Sequence, residues 1–225
     1  MIVVVGALAW RPAEPQGPAG RACGVALAAA GRGARVELVG RVGEDFAGDA
    51  LMLALTRSGV GHAAVLRDPA RATPIVMPAG HDEAELSPLA DELPVPRRPA
   101  VDAPRLEAAD VDLAIRYLGD VGVLVVADDV PPGVLAAAAE AGQFSGSRLV
   151  ALLDPGSQRA GSLPPDLPPD VTLLVAPDDA SGEASGAFES LVGAFAAALD
   201  GGAAHAEAFA AATGDAGWEA LAAPG

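Results

Sequence analysis

The chain has 225 residues, with thirty acidic side chains against fourteen basic ones and a formal charge of −16, which argues against a nucleic-acid partner or an anionic membrane surface. All fourteen basic residues are Arg, and neither Lys nor Asn occurs anywhere. A P-loop, a Schiff-base amine and a Ser-Lys dyad each require Lys, so all three are excluded. The apolar fraction is 51%, but 52 residues are Ala and eight are aromatic, so the core is broad and shallow in a chain still long enough to bury most of its surface. The length predicts one α/β domain with a small appendage. The single Cys excludes an internal disulfide, and cytoplasm is the default compartment. Met1 to Gly6 is short, lacks a basic n-region and reads as a strand rather than a signal peptide. No apolar run reaches the length that crosses a bilayer, so a soluble protein is expected.

In chain order, Ile2-Val3-Val4-Val5-Gly6 is a β-branched run ending in Gly, the pattern of a buried parallel strand. A Pro-rich loop (Pro12, Pro15, Pro18) leads to a small-residue helix from Gly20 to Gly31, then a strand at Val36 to Val39. Ala47 to Ser58 carries Leu51 and Leu55 at helical spacing, stopped by Gly59. Ala63 to Arg67 and Pro74 to Pro78 read as two short strands, with flanking prolines that favour edge positions. From Ala79 to Pro104 the chain turns acidic and proline-rich, a surface loop. Helical periodicity resumes from Leu106 to Leu118, followed by a strand at Val121 to Ala127, a helix at Pro132 to Gly142 and a strand at Arg148 to Leu153. A second proline-rich loop, Ser162 to Asp170, precedes a strand at Val171 to Val175, and Ala-rich helices near Ala184 to Leu199 and Ala203 to Thr213 close the chain. Strands alternating with helices predict a mostly parallel sheet covered by helices.

Candidate chemistry is sparse. Gly31-Arg32-Gly33 precedes a strand instead of opening a helix, so it offers no helix N-terminus to a pyrophosphate and reads as a turn. His62, His81 and His205 lie far apart, and neither they nor Cys23 have metal-ligand spacing. The histidines read as surface groups, and Cys23 as packed core. The acidic pairs Glu44-Asp45, Asp128-Asp129 and Asp178-Asp179 follow strands, where α/β proteins place ligands, though helix N-caps and solvated loop ends use the same residues. A hard cation suits Asp178 and Asp179 best. From Ala160 to Gly225 there are ten acidic residues and no basic one, leaving fourteen basic and twenty acidic side chains elsewhere. Phosphate held at the C-terminal end would therefore depend on helix N-termini, Mg²⁺ or distant cations.

Gly20 through Gly33, then Val36-Glu37-Leu38-Val39-Gly40-Arg41-Val42-Gly43-Glu44-Asp45-Phe46-Ala47-Gly48-Asp49, closely resembles the N-terminal signature of PfkB/ribokinase-like carbohydrate kinases. Gly59-Val60, Thr73-Pro74, Leu153-Asp154-Pro155, Ala176-Pro177-Asp178-Asp179 and the helix from Ser185 to Leu199 resemble later family stretches in the same order. The resemblance implies a three-layer ribokinase-like α/β sandwich over residues 1–225, with a small β-lid near 9–19 and 62–80 and a shortened C-terminal nucleotide half. It implies transfer of the ATP γ-phosphoryl group, with Mg²⁺, to a sugar or nucleoside hydroxyl.

Carried over residue by residue, the family's chemistry is depleted. The Asn and Asp that hold sugar hydroxyls correspond to Ala9 and Arg11. The Gly-Gly and Asn at the first helix correspond to Ala19, Gly20 and Gly24, which leaves Arg11, Gly20 and Gly24 as substrate-side candidates. The Mg²⁺-associated Asn and Glu correspond to Asp178 and Ser181, with Asp178 and Asp179 as metal candidates. The catalytic Asp corresponds to Gly186 and the anion-hole glycines to Glu183 and Ser185, so the nucleotide candidates are Glu183, Ser185 and Gly186. Gly186 has no side chain to accept a proton, and Glu183 places negative charge where phosphate would sit. The expectation is a catalytically inactive homologue that needs no cofactor and acts by binding, as a homodimer through the lid or with an intact kinase. The alternative is an active small kinase with ATP and Mg²⁺ at a rebuilt site on Asp178 or Asp179. A third reading is a sensor for an anionic ligand at Arg11.

Overall fold

All four side chains of the first strand are buried, as a strand covered on both faces requires. The computed structural model describes residues 1–76, 103–127, 130–153, 167–176 and 182–215, the last span without the side chains of 182–185 and 215. Its strands are β1 (Ile2–Val5), β2 (Ala9–Arg11), β3 (Gly17–Ala19), β4 (Val36–Gly43), β5 (Gly61–Asp68), β6 (Val123–Val126), β7 (Arg148–Leu153) and β8 (Thr172–Val175). Its helices are α1 (Arg21–Ala30), α2 (Phe46–Arg57), α3 (Ala108–Leu118), α4 (Pro132–Ser145), α5 (Gly182–Asp200) and α6 (His205–Asp215).

Six strands pair in parallel in the order β5-β4-β1-β6-β7-β8. Alternation along β1 sends Ile2 and Val4 to one face, packed with α1, α2, α5 and α6, and Val3 and Val5 to the other, packed with α3 and α4. The result is a three-layer α/β/α sandwich with β1 at its centre. Strands run outward from β1 on one side, and the chain then returns to place β6 on the other. That reversal is the point where open α/β sheets bind ligands, beyond the carboxyl ends of the strands.

Alanine and glycine shape the helical layers. At Gly193 of α5, an added Cβ would lie 2.6 Å from Ala28 Cβ and 2.8 Å from the Ala29 nitrogen, so α1 and α5 meet nearly backbone to backbone. The C-terminus of α5 is held by Arg148 on β7, whose Nη1 donates to the Leu199 and Ala203 carbonyls at 3.1 and 2.8 Å. Asp200 receives the amino terminus of Met1 at 2.8 Å, tying the chain start to this helix.

Several expectations need correction. The Pro74–Pro78 strand is reduced to an isolated bridge between Ile75 and Trp10, and residues 77 and 78 lie outside the described residues. Pro74 has no N–H, and its carbonyl accepts from the Trp10 nitrogen at 2.8 Å. Of the 62–80 lid span, residues up to Asp68 belong to β5 at the edge of the main sheet. Residues 9–19 form the antiparallel hairpin β2–β3. His62 is half-buried on β5 instead of at the surface, His205 is exposed, and His81 lies outside the described residues. Cys23 is fully buried, as expected.

Candidate functional site

Beyond β1 the chain rises through Gly6 and Ala7 into the β2–β3 hairpin. Leu8 is 2% exposed and Trp10 6%, and both belong to the core cluster on the α1 face. Gly40 makes room for this plug: a Cβ there would lie 2.7 Å from Leu8 Cγ and 2.9 Å from the Gly6 carbonyl oxygen. The segment after β1 thus packs its apolar side chains onto the middle of β4. Ala9 is buried and pairs with Ala19, while Arg11 donates from Nε to the Pro15 carbonyl at 2.7 Å, so its guanidinium serves its own hairpin turn.

Gly20 joins β3 to α1 at φ +91°, a conformation that favours glycine, and α1 begins without a side-chain cap. Its first residue, Arg21, lies over the Phe188 ring of α5 at 5.3 Å. Gly24 sits in the same seam, where a Cβ would collide with the Glu189 carboxylate. The first turns of α1 therefore meet α5 near Gly186, which is exposed and whose added Cβ would meet no atom of the described residues within 4 Å. Asp178 and Asp179 lie outside the described residues, as does the pair Asp128-Asp129, and of Glu183 and Ser185 only the helical backbone is described.

The Gly-Glu-Asp signature builds a hydrogen-bonded knot. Asp45 caps α2 by accepting from the Gly48 nitrogen at 2.8 Å, and the same carboxylate accepts from the Thr73 nitrogen (2.7 Å) and hydroxyl (2.8 Å). Thr73 Oγ1 in turn accepts from the Gly43 nitrogen at 2.9 Å. A Cβ at Gly43 would lie 2.5 Å from the Arg71 carbonyl oxygen, and one at Gly48 2.5 Å from the Gly43 carbonyl oxygen. Of the alternatives for Glu44-Asp45, Asp45 is the helix N-cap. The motif fixes the root of the Thr73–Val76 segment to the sheet.

A cleft of about 360 Å³ opens at the switch point, on the α3–α4 side. Its apolar walls include Gly6 and Ala7 after β1, Leu106 before α3, and Val130 and Pro131 before α4. Arg41 and Arg105 also line it. Arg41 Nε and Nη2 donate to the two Asp110 oxygens, each at 2.8 Å, and Asp110 is buried. Asp110 also accepts from the Glu107 nitrogen at 2.8 Å, completing a capping box at the start of α3. The Asp110 hydrogen bonds hold the Arg41 guanidinium above its ordinary pKa, burial opposes them, and the charges of Asp110, Glu107 and Asp68 add to the rise. Sequence reasoning missed this pair because its members are 69 residues apart. The available signal was an Arg inside a largely apolar strand.

Among the described residues no cluster of three His, Cys, Asp or Glu side chains is placed to hold a metal, and no helix is long and apolar enough to cross a membrane. The family model for pfkB family carbohydrate kinases matches residues 12–179. The chain belongs to that family. Its structure is similar to Arabidopsis thaliana ribokinase complexed with ribose and ATP, at TM-score 0.61 and 17% identity, covering 96% of this chain and 90% of that one. It is also similar to aminoimidazole riboside kinase from Salmonella enterica, solved with aminoimidazole riboside and an ATP analog, at TM-score 0.56 and 14% identity over 100% and 94% of the two chains. Fructokinase from Xylella fastidiosa with bound ATP gives TM-score 0.51 and 19% identity, covering 87% of this chain and 55% of that one. At these identities the likeness establishes the ribokinase-like fold. No curated protein sequence matches the chain.

Proposed function

We propose that this chain is a pfkB-family carbohydrate-kinase homologue that has kept the fold and lost phosphoryl transfer, and that it works by binding. The observation that carries the reading is Gly186, exposed on α5, where among the described residues nothing lies within 4 Å of a Cβ placed on it, at the position corresponding to the family's catalytic Asp. A general base contributes about 10² to 10⁴ in rate, and a hydrogen atom cannot replace it. The sugar-side positions point the same way: Ala9 is a buried methyl group, and Arg11 is a donor engaged by Pro15. None of these described positions carries a group that fits ATP–Mg²⁺ chemistry on a sugar hydroxyl.

The test is calorimetry and ADP release with ATP–Mg²⁺ across a panel of sugars and nucleosides. No substrate-dependent ADP release is expected. Micromolar ATP binding with turnover that disappears in Asp179→Ala would overturn the proposal in favour of an active small kinase with a rebuilt metal site.

The partner we propose is a second copy or an intact relative, met through the lid. Ile75 and Val76 are 40% and 42% exposed beside the hairpin, and Phe46 is 59% exposed where α2 begins. Light scattering of the protein alone and mixed with an intact pfkB-family kinase should show a complex that Ile75→Glu weakens. A monomer in both experiments would remove this partner model.

A further inference from the structure

The cleft at the switch point carries an assignment that the lost kinase chemistry does not. We propose that it binds a small carboxylate with an apolar body, held by Arg105 and by the edge of Arg41 that Asp110 leaves uncovered. The volume of about 360 Å³ falls within the range of small-molecule sites, and the lining has the usual mixture of apolar walls and few polar groups. Gly6, Ala7, Leu106, Val130 and Pro131 supply the walls, and among the described residues the titratable side chains on the lining are Arg41 and Arg105.

Their roles differ. Arg41 is 24% exposed and has committed Nε and Nη2 to Asp110, so Nη1 remains to donate. Asp110 thereby fixes the plane of the guanidinium, which lowers the entropy lost when a ligand oxygen arrives. Arg105 is exposed, and among the described residues it makes no hydrogen bond or ion pair.

The charged groups among the described residues bear on the ligand class. Among the described residues the two guanidinium groups stand against the carboxylates of Asp110, Glu107 and Asp68, all three of which act on Arg41. A guanidinium fork matches the two oxygens of a carboxylate, whereas a phosphate dianion would bring a second negative charge toward those carboxylates. The apolar walls favour a hydrophobic body behind the carboxylate. Arg11, the cation that the sequence offered for an anionic ligand, is not on this cleft's lining, and its Nε donates to the Pro15 carbonyl.

The proposal rests on reading the chain as a binding protein, but its test is separate. Benzoate is titrated into the full chain by calorimetry, with benzamide as the neutral isostere and inorganic phosphate as the small polyanion. Benzoate should bind with a dissociation constant below about 1 mM, and the two comparison ligands at least about tenfold more weakly. Arg105→Ala removes the exposed charge and Ala7→Leu fills the cleft from an exposed position. Each should weaken benzoate by at least about tenfold while leaving the urea midpoint unchanged. Equal binding of benzoate and benzamide, tighter binding of phosphate, or benzoate affinity insensitive to both variants would overturn the assignment. Sugar-dependent ADP release would overturn the binding-protein reading while leaving the benzoate result to stand or fall alone.

Discussion

Asp45→Ala is expected to lower the unfolding free energy by about 3 kcal/mol, because one substitution removes a helix cap and two further hydrogen bonds. The carboxylate accepts from the Gly48 nitrogen and from both donors of Thr73, a residue only 4% exposed. A missing cap costs about 1 kcal/mol, and each of the two further bonds about 1 kcal/mol where solvent reaches the carboxylate. Urea denaturation reads the loss directly, provided the slope with denaturant is unchanged. Asp45→Asn retains one acceptor oxygen but turns an amide toward the Thr73 nitrogen, so its cost should fall between wild type and Asp45→Ala. A double-mutant cycle with Thr73→Val should give a coupling of about 1 to 2 kcal/mol. The loss should also reach the lid: the Trp10 and Val76 amides, which bond to the Pro74 and Trp10 carbonyls, should exchange faster with solvent. A loss below about 1 kcal/mol with unchanged exchange at Trp10 would mean that the knot does not anchor this segment.

That knot marks the limit of what the sequence made legible. The continuous apolar runs of β1, β6 and β7 were readable because a strand buried on both faces needs no polar alternation. β4 was not read to its end. Gly40 and Gly43 resemble punctuation locally, yet they continue the strand and are small because Leu8 and Thr73 press against them. The hairpin β2–β3 was readable only through family resemblance, since Gly17-Pro18-Ala19 has poor strand propensity. The family positions at Ala9, Arg11 and Gly186 were identified from motif order alone. What the sequence could not supply was the partner of each side chain. Arg11 belongs to Pro15 and Gly24 to the α1–α5 seam, while Arg41 belongs to a helix 69 residues later. Long-range pairing is a property of the packed sheet, and no local pattern encodes it.

Asp110→Ala should cost about 3 kcal/mol, near the lower end for breaking a buried pair, because solvent still reaches Arg41. The substitution removes both bonds from the Arg41 guanidinium, the bond from the Glu107 nitrogen and the capping box of α3. It also strands a half-buried cation whose remaining anionic neighbours, Glu107 and Asp68, act only at longer range. Replacing Arg41 and Asp110 together by leucine should recover much of the loss in β4–α3 packing, since an apolar pair carries no desolvation cost, although the α3 cap stays lost. The difference between the single and double variants in urea therefore separates the ion pair from the cap. On the arginine side the raised pKa contributes stability that is fully present below the unfolded-state value and is lost only as pH rises through the folded-state value. Since both lie at strongly alkaline pH, the arginine's contribution should not change between mildly acidic and mildly alkaline buffers. A single-variant loss under about 1 kcal/mol would place the pair with exposed surface bridges. In that case Asp110 could not be what orients Arg41 toward the cleft.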